Sequence, residues 1–145
     1  WLFLLAPVMF ILLYGYGFRD RASAESICFA LGCLWLSTVI HELTHWWVIG
    51  GLRDMSVFVR NGLRIGILHK RNSAATELRS AVMGPSAGAV SSVLLGLLMS
   101  TWGTVSAAWI VAVSCSAFHL FSLLPFYGDG AAVINSLRKA NERQK

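Results

Sequence analysis

Residues 41 to 45 read HELTH, and three ionisable groups, His41, Glu42 and His45, fall there inside an otherwise oily stretch. On an α-helix, positions i and i+4 share one face, a turn apart. Two imidazoles so placed can bind one Zn²⁺, and the glutamate beside the first can reach the water such a metal activates. Ser37 and Thr38 lie one turn before His41, so a polar stripe runs down one side of this helix. Ionisable groups at membrane depth face a bundle interior or an aqueous cavity and mark a function. A chance pattern and a haem held by two histidines are the other readings of the pair; the haem gives Glu42 no role.

A catalytic zinc needs a third protein ligand and one open position. His69 sits beside Lys70 in a basic loop. His119 lies in an apolar segment, ten residues before Asp129. Asp129, in PFYGDGAAV, is the first carboxylate after a run from Ser80 to Gly128 with no Asp, Glu, Lys or Arg.

The elements that must position these groups are apolar. The chain has 145 residues, 56% of them hydrophobic and 13% charged. A soluble fold of that size buries too little of its surface to hide so much apolar area. A membrane span needs about 20 apolar residues, and residues 1–18, 26–49, 77–100 and 104–127 meet or approach that. Residues 1–18 lack a basic leading region and a small-residue cleavage site, which favours a retained membrane helix over a signal peptide. The expected fold is an all-α polytopic membrane protein of about four transmembrane helices. It forms one domain over 1–145, with a core at 26–135 and a tail at 136–145. Cys28, Cys33 and Cys115 have no metal or redox spacing and read as small buried hydrophobes.

Charge orients this arrangement. The loop at 19–25 carries Arg19 and Arg21, whereas the opposite face carries Arg53, Arg60, Arg64, Lys70, Arg71, Arg79 and the four basic residues of the tail. The positive-inside rule makes that second face cytoplasmic. The net charge of +5 is thus mostly topology, with an attraction to anionic membrane lipid. No aromatic-interleaved basic motif calls for nucleic acid.

In this topology the second and fourth helices run the same way. His41 and His45 lie about 6–12 Å below the cytoplasmic end, level with Asp129 rather than with His119. Pro125, Gly128 and Gly130 are expected to unwind the chain there and let Asp129 turn inward. Its other reading is a helix N-cap for the tail. His119 reads as a polar contact within the bundle or a substrate channel. In the long loop, Asn61-Gly62 separates two apolar, β-branched runs. Strands at 56–60 and 63–68 joined by a tight turn on that dipeptide are expected, as a membrane-associated β-hairpin between the second and third helices.

With these pieces in place, the chain resembles the site-2 protease (M50) family of zinc intramembrane metalloproteases. HELTH resembles the family's zinc-binding helix, MGPSAG (residues 83–88) a conserved stretch of its next helix, and SLLPFYGDG (residues 122–130) the family's NxxPxxxxDG. The resemblance covers roughly residues 26–135. It implies His41, His45 and Asp129 as ligands of one Zn²⁺, Glu42 as the catalytic glutamate, and a transmembrane protein or peptide as substrate. Ser122 stands where the family usually has an asparagine that helps hold substrate, and three residues rather than four separate Pro125 from Asp129. Residues implied in substrate contact are Ser122, Pro125, Asn61, Gly62 and His119, the hairpin receiving an unwound substrate as an added strand. Gly84 and Gly88 also form a GxxxG pattern, which brings helices together without any catalytic role. The implied activity is cleavage of peptide bonds within transmembrane segments near the cytoplasmic face. The alternative is a non-catalytic, metal-containing membrane protein that binds transmembrane helices.

Overall fold

The computed structural model describes residues 21–50, 57–61, 64–68, 73–101 and 105–142. The expected first membrane helix, 1–18, and Gly62 lie outside them. The described chain forms helix α1 (Arg21–Val48), strands β1 (Val57–Asn61) and β2 (Arg64–Leu68), and helices α2 (Ala74–Ser100), α3 (Val105–Phe121) and α4 (Gly128–Glu142).

Helix α1 begins earlier than its apolar content requires. Residues 21–25, expected in a connecting loop, are helical, because Arg, Ala, Ser and Glu carry no helix breaker. It ends where Gly50 takes a φ of 105°, a conformation glycine adopts without penalty. Ser73 caps α2: its hydroxyl accepts the Thr76 N–H at 3.2 Å and its carbonyl accepts the Glu77 N–H at 3.0 Å, satisfying donors that the first turn leaves open. α2 continues through Pro85 to Ser100.

Two of these helices, over Ile27–Val48 and Ala74–Ser100, are long and apolar enough to cross a membrane. The fourth expected span is shorter than its sequence implied. α3 stops at Phe121, four residues before Pro125, whose ring would collide with the Phe121 carbonyl if the helix went on. Its apolar part, Ala108–Phe121, falls short of the roughly 30 Å of a hydrocarbon core at 1.5 Å per residue.

β1 and β2 pair antiparallel with Asn61 opposite Arg64. A turn on Asn61-Gly62 would set residue 60 opposite 63, whereas Arg60 stands opposite Ile65, so the register differs by two residues from the one expected. Asn61, expected in the turn, is instead the last residue of the first strand.

The chain divides into two packed units, Trp1–Val39 with Gly88–His119, and Ile40–Ala87 with Leu120–Lys145. In the first unit the core is built from small residues: Cys33, Ser37, Ser92, Ala108 and Ala112 are almost fully buried. Gly96 faces the Ala112 methyl, and the Ser116 hydroxyl donates to the Ala89 carbonyl at 2.8 Å. Small residues let helix backbones approach closely, and dispersion contacts then hold them. The large apolar side chains point outward: Val90, Leu94, Leu98, Ile110 and Val113 are all more than half exposed. In the second unit His41, Ser80 and Ser136 are buried while Trp47, Leu43 and Leu137 are exposed. Polar groups inside and large hydrophobes outside invert the usual arrangement of a water-soluble domain.

Candidate metal centre

His41 and His45 project from the last two turns of α1, as their spacing requires. Asp129 reaches them from the first turn of α4. The turn between α3 and α4 makes this possible. The Leu123 and Leu124 amides bond back to the Leu120 and Phe121 carbonyls, Tyr127 N–H to Leu124, and Gly130 N–H to the Ser122 carbonyl at 3.0 Å. A side chain at Gly130 would overlap the carbonyls of Leu123 and Leu124, so this close crossing of the chain requires glycine.

The three side chains converge by their donor atoms. His41 Nε2 lies 2.9 Å from His45 Nε2. Asp129 presents one oxygen to each ring, Oδ2 at 3.3 Å from His41 Nε2 and Oδ1 at 3.2 Å from His45 Nε2. All three candidate donor atoms lie within 4.8 Å of one another, a grouping that could hold a metal ion. The carboxylate is mostly shielded, its side chain 22% exposed. Burial pushes the Asp129 carboxyl up, but hydrogen bonds from His41 and His45, the charge of His45 and a hydrogen bond from Ser122 outweigh it and hold Asp129 below the usual carboxylate range. The group is therefore an anion at neutral pH and ready to ligate a cation.

Glu42 is half-buried, and its carboxylate interacts electrostatically with His41, His45 and Asp129. A cavity of about 210 Å³ adjoins the cluster, lined by His45, Asp129, Glu77, Ser80 and Ala81 with Ile49 and Ala132. Glu42 is not part of that lining.

Three contributors escaped the sequence reading. Ser80 Oγ lies 3.1 Å from His45 Nδ1. The backbone at Gly84 approaches the His45 ring so closely that a Cβ there would overlap it. Glu77 lines the cavity and pairs with Lys139 of α4 at 2.8 Å. A hydroxyl and a carboxylate at the start of an apolar helix were visible in the sequence as polar interruptions, but nothing in it indicated their partners.

The remaining sequence-derived candidates separate. Ser122 bonds to Asp129, so among the described contacts its hydroxyl serves the cluster. Pro125 lies in the turn that ends α3. His119 is not a member of the described metal-binding group: it is 2% exposed and its Nε2 lies 2.9 Å from Ser37 Oγ, which is itself fully buried. Asn61 is the last residue of β1. Comparison of the chain with protein-family models, with curated proteins and with solved structures finds no match.

Proposed function

We propose that this protein is a zinc-dependent intramembrane endopeptidase of the site-2 protease type, cleaving transmembrane segments near the cytoplasmic face. The observation that carries the reading is the convergence of His41, His45 and Asp129 from two helices onto one point, beside a glutamate. A tetrahedral zinc at about 2.0–2.1 Å from each donor separates its ligand atoms by roughly 3.3 Å. The distances of 2.9, 3.2 and 3.3 Å among the three donors come close to that triangle, and two imidazoles with one carboxylate are a donor set zinc accepts.

Bound zinc supplies a Lewis acid that polarises a carbonyl and lowers the pKa of a water toward ~7. The protein's own residues do the rest. Asp129 offsets the ion's charge and fixes its position between the helices. Glu42 takes the proton of the attacking water and delivers it to the leaving amine, a role worth about 10²–10⁴ in rate. The cavity beside His45 and Asp129 admits water and an extended piece of substrate. The substrate is a transmembrane helix that must unwind locally, since its peptide bonds are otherwise shielded by their own hydrogen bonds. The antiparallel pair at 57–68 offers a strand edge for such an unwound segment.

Membrane residence, with several spans and the site toward the cytoplasm, is supported by two helices of spanning length, by the large apolar side chains facing outward, and by the basic residues gathered on one side of the chain's topology.

The test uses the full chain purified in detergent. Wild type is expected to hold one zinc per chain and to cleave some members of a panel of transmembrane peptides. Glu42→Gln should keep the zinc and lose cleavage. Zinc retained with equal cleavage in both proteins would remove Glu42 from the mechanism. Zinc with no cleavage of any substrate in either would favour the binding-protein alternative.

A further inference from the structure

His45 is gripped by two residues of α2 that the ligand set does not include. Ser80 and Gly84 are four residues apart, so they share one face of α2 a turn apart, as His41 and His45 do on α1. Ser80 Oγ meets Nδ1 of His45 at 3.1 Å. Gly84 meets the opposite edge of the same ring, where a Cβ would overlap Nε2, Cε1 and Cδ2. The Ser80 side chain is held in place by burial, the residue being 7% exposed.

We propose that Ser80 is the positioning residue of the metal centre, holding the His45 ring with Nε2 aimed at the point shared with His41 and Asp129. The inference rests on the metal-centre reading given above. An imidazole that gives its Nε2 lone pair to a metal must carry its proton on Nδ1, and that N–H needs an acceptor when buried. Ser80 Oγ is the acceptor in reach. A hydroxyl suits the position better than a carbonyl would, because it can donate as well as accept. In the metal-free protein it can give its proton to Nδ1 while Nε2–H faces Asp129; on loading it turns and accepts. Gly84 supplies the space that lets α2 come near enough for this contact. MGPSAG thus contributes to the centre through Gly84 as a seat for the ring, a more specific task than helix contact alone.

Three proteins are compared: wild type, Ser80→Ala and Ser80→Thr. Co²⁺ is the probe, titrated into metal-free full-length protein in detergent, with the visible d–d bands reporting ligand geometry. Ser80→Ala is expected to bind Co²⁺ about 10–100-fold more weakly, the usual effect of removing an outer partner of a ligating histidine. Its bands should shift, and its metal-free form should still unfold cooperatively, lowered only by the loss of the one hydrogen bond to Nδ1. Ser80→Thr, which keeps the hydroxyl, should restore affinity and bands. In zinc-loaded, ¹⁵N-histidine-labelled protein, the His45 Nδ1–H resonance should move upfield and exchange faster in Ser80→Ala. Wild-type affinity and spectrum in Ser80→Ala would overturn the role, as would equal loss in the alanine and threonine variants with the Nδ1–H resonance unmoved. Failure of wild type to bind any Co²⁺ would overturn the metal centre and the positioning role with it. Metal binding that depends on Ser80 without cleavage of any peptide would defeat only the protease reading.

Discussion

Two histidines of this chain are built into closely similar surroundings and end with different capacities. His45 and His119 each lie near the end of an apolar helix, each bonds a serine hydroxyl, and each presses its ring against a glycine of α2, Gly84 for His45 and Gly88 for His119. His119 is 2% exposed, its serine is fully buried, and it lies outside the described metal-binding group. His45 has in addition a second imidazole at 2.9 Å, a carboxylate oxygen at 3.2 Å and a cavity at its side. A buried histidine bonded to a buried hydroxyl is by itself a structural contact. The same residue type could serve as a ligand where further donors converge on its second nitrogen beside a cavity.

The sharpest way to break this contrast is to remove one member from each side. Asp129→Ala should abolish stoichiometric zinc binding, measured by metal analysis after dialysis, because two imidazoles alone leave the ion half-coordinated. His119→Ala should keep one zinc per chain and instead lose about 1–3 kcal/mol of stability in thermal unfolding, the cost of a lost buried hydrogen bond to Ser37 and of the space the ring leaves. The reverse pattern would exchange the two assignments.

Next in size is acidification. Ligands must be deprotonated to bind metal, so binding releases protons and affinity falls as pH drops through the imidazole range. Asp129, held low, stays ionised across that range and should not add to the loss. A zinc titration repeated from pH 8 down to about 3 should therefore show no added loss in the usual carboxylate range; a further step there would mean that Asp129 is not held low.

The two glycine seats offer a finer comparison. Gly84→Ala should displace the His45 ring and weaken Co²⁺ binding by roughly tenfold, in line with other disturbances of a ligand's outer partners. Gly88→Ala should lower thermal stability by about 1–3 kcal/mol through overpacking against His119, with metal affinity unchanged. Equal effects of both on metal affinity would show that α2 acts only as a rigid support. The smallest effect is expected at Lys139. Its pair with Glu77 is partly exposed, so Lys139→Ala should change stability by only ~0–1 kcal/mol.

Sequence patterning reached unevenly into this structure. The helices were legible because their apolar runs are long and uninterrupted. Their ends were less so: α1 extends through 21–25 because nothing there breaks a helix, and α3 stops early because Pro125 acts four residues upstream of itself. The strand pairing was legible as a pair of β-branched runs, but its register was not, since Asn61-Gly62 is only one of the connections the flanking residues allow. In the centre, Ser80 and Gly84 were invisible as partners of His45. A serine or glycine in an apolar helix carries no mark of which neighbour it meets.

The sequence by itself determined that His41 and His45 share a helix face, since a spacing of four is a property of the helix and needs no partner. It also placed Glu42 beside them and offered Asp129, the first carboxylate after the uncharged run, as a further donor. Only the tertiary structure decided that Asp129 turns toward the imidazoles. Its direction depends on the turn at 122–127 and on a crossing at Gly130 too close for any side chain. The tertiary structure likewise set Ser80 and Gly84 against the His45 ring. These contacts join residues far apart in the chain, and no local propensity fixes where two separately formed helices meet.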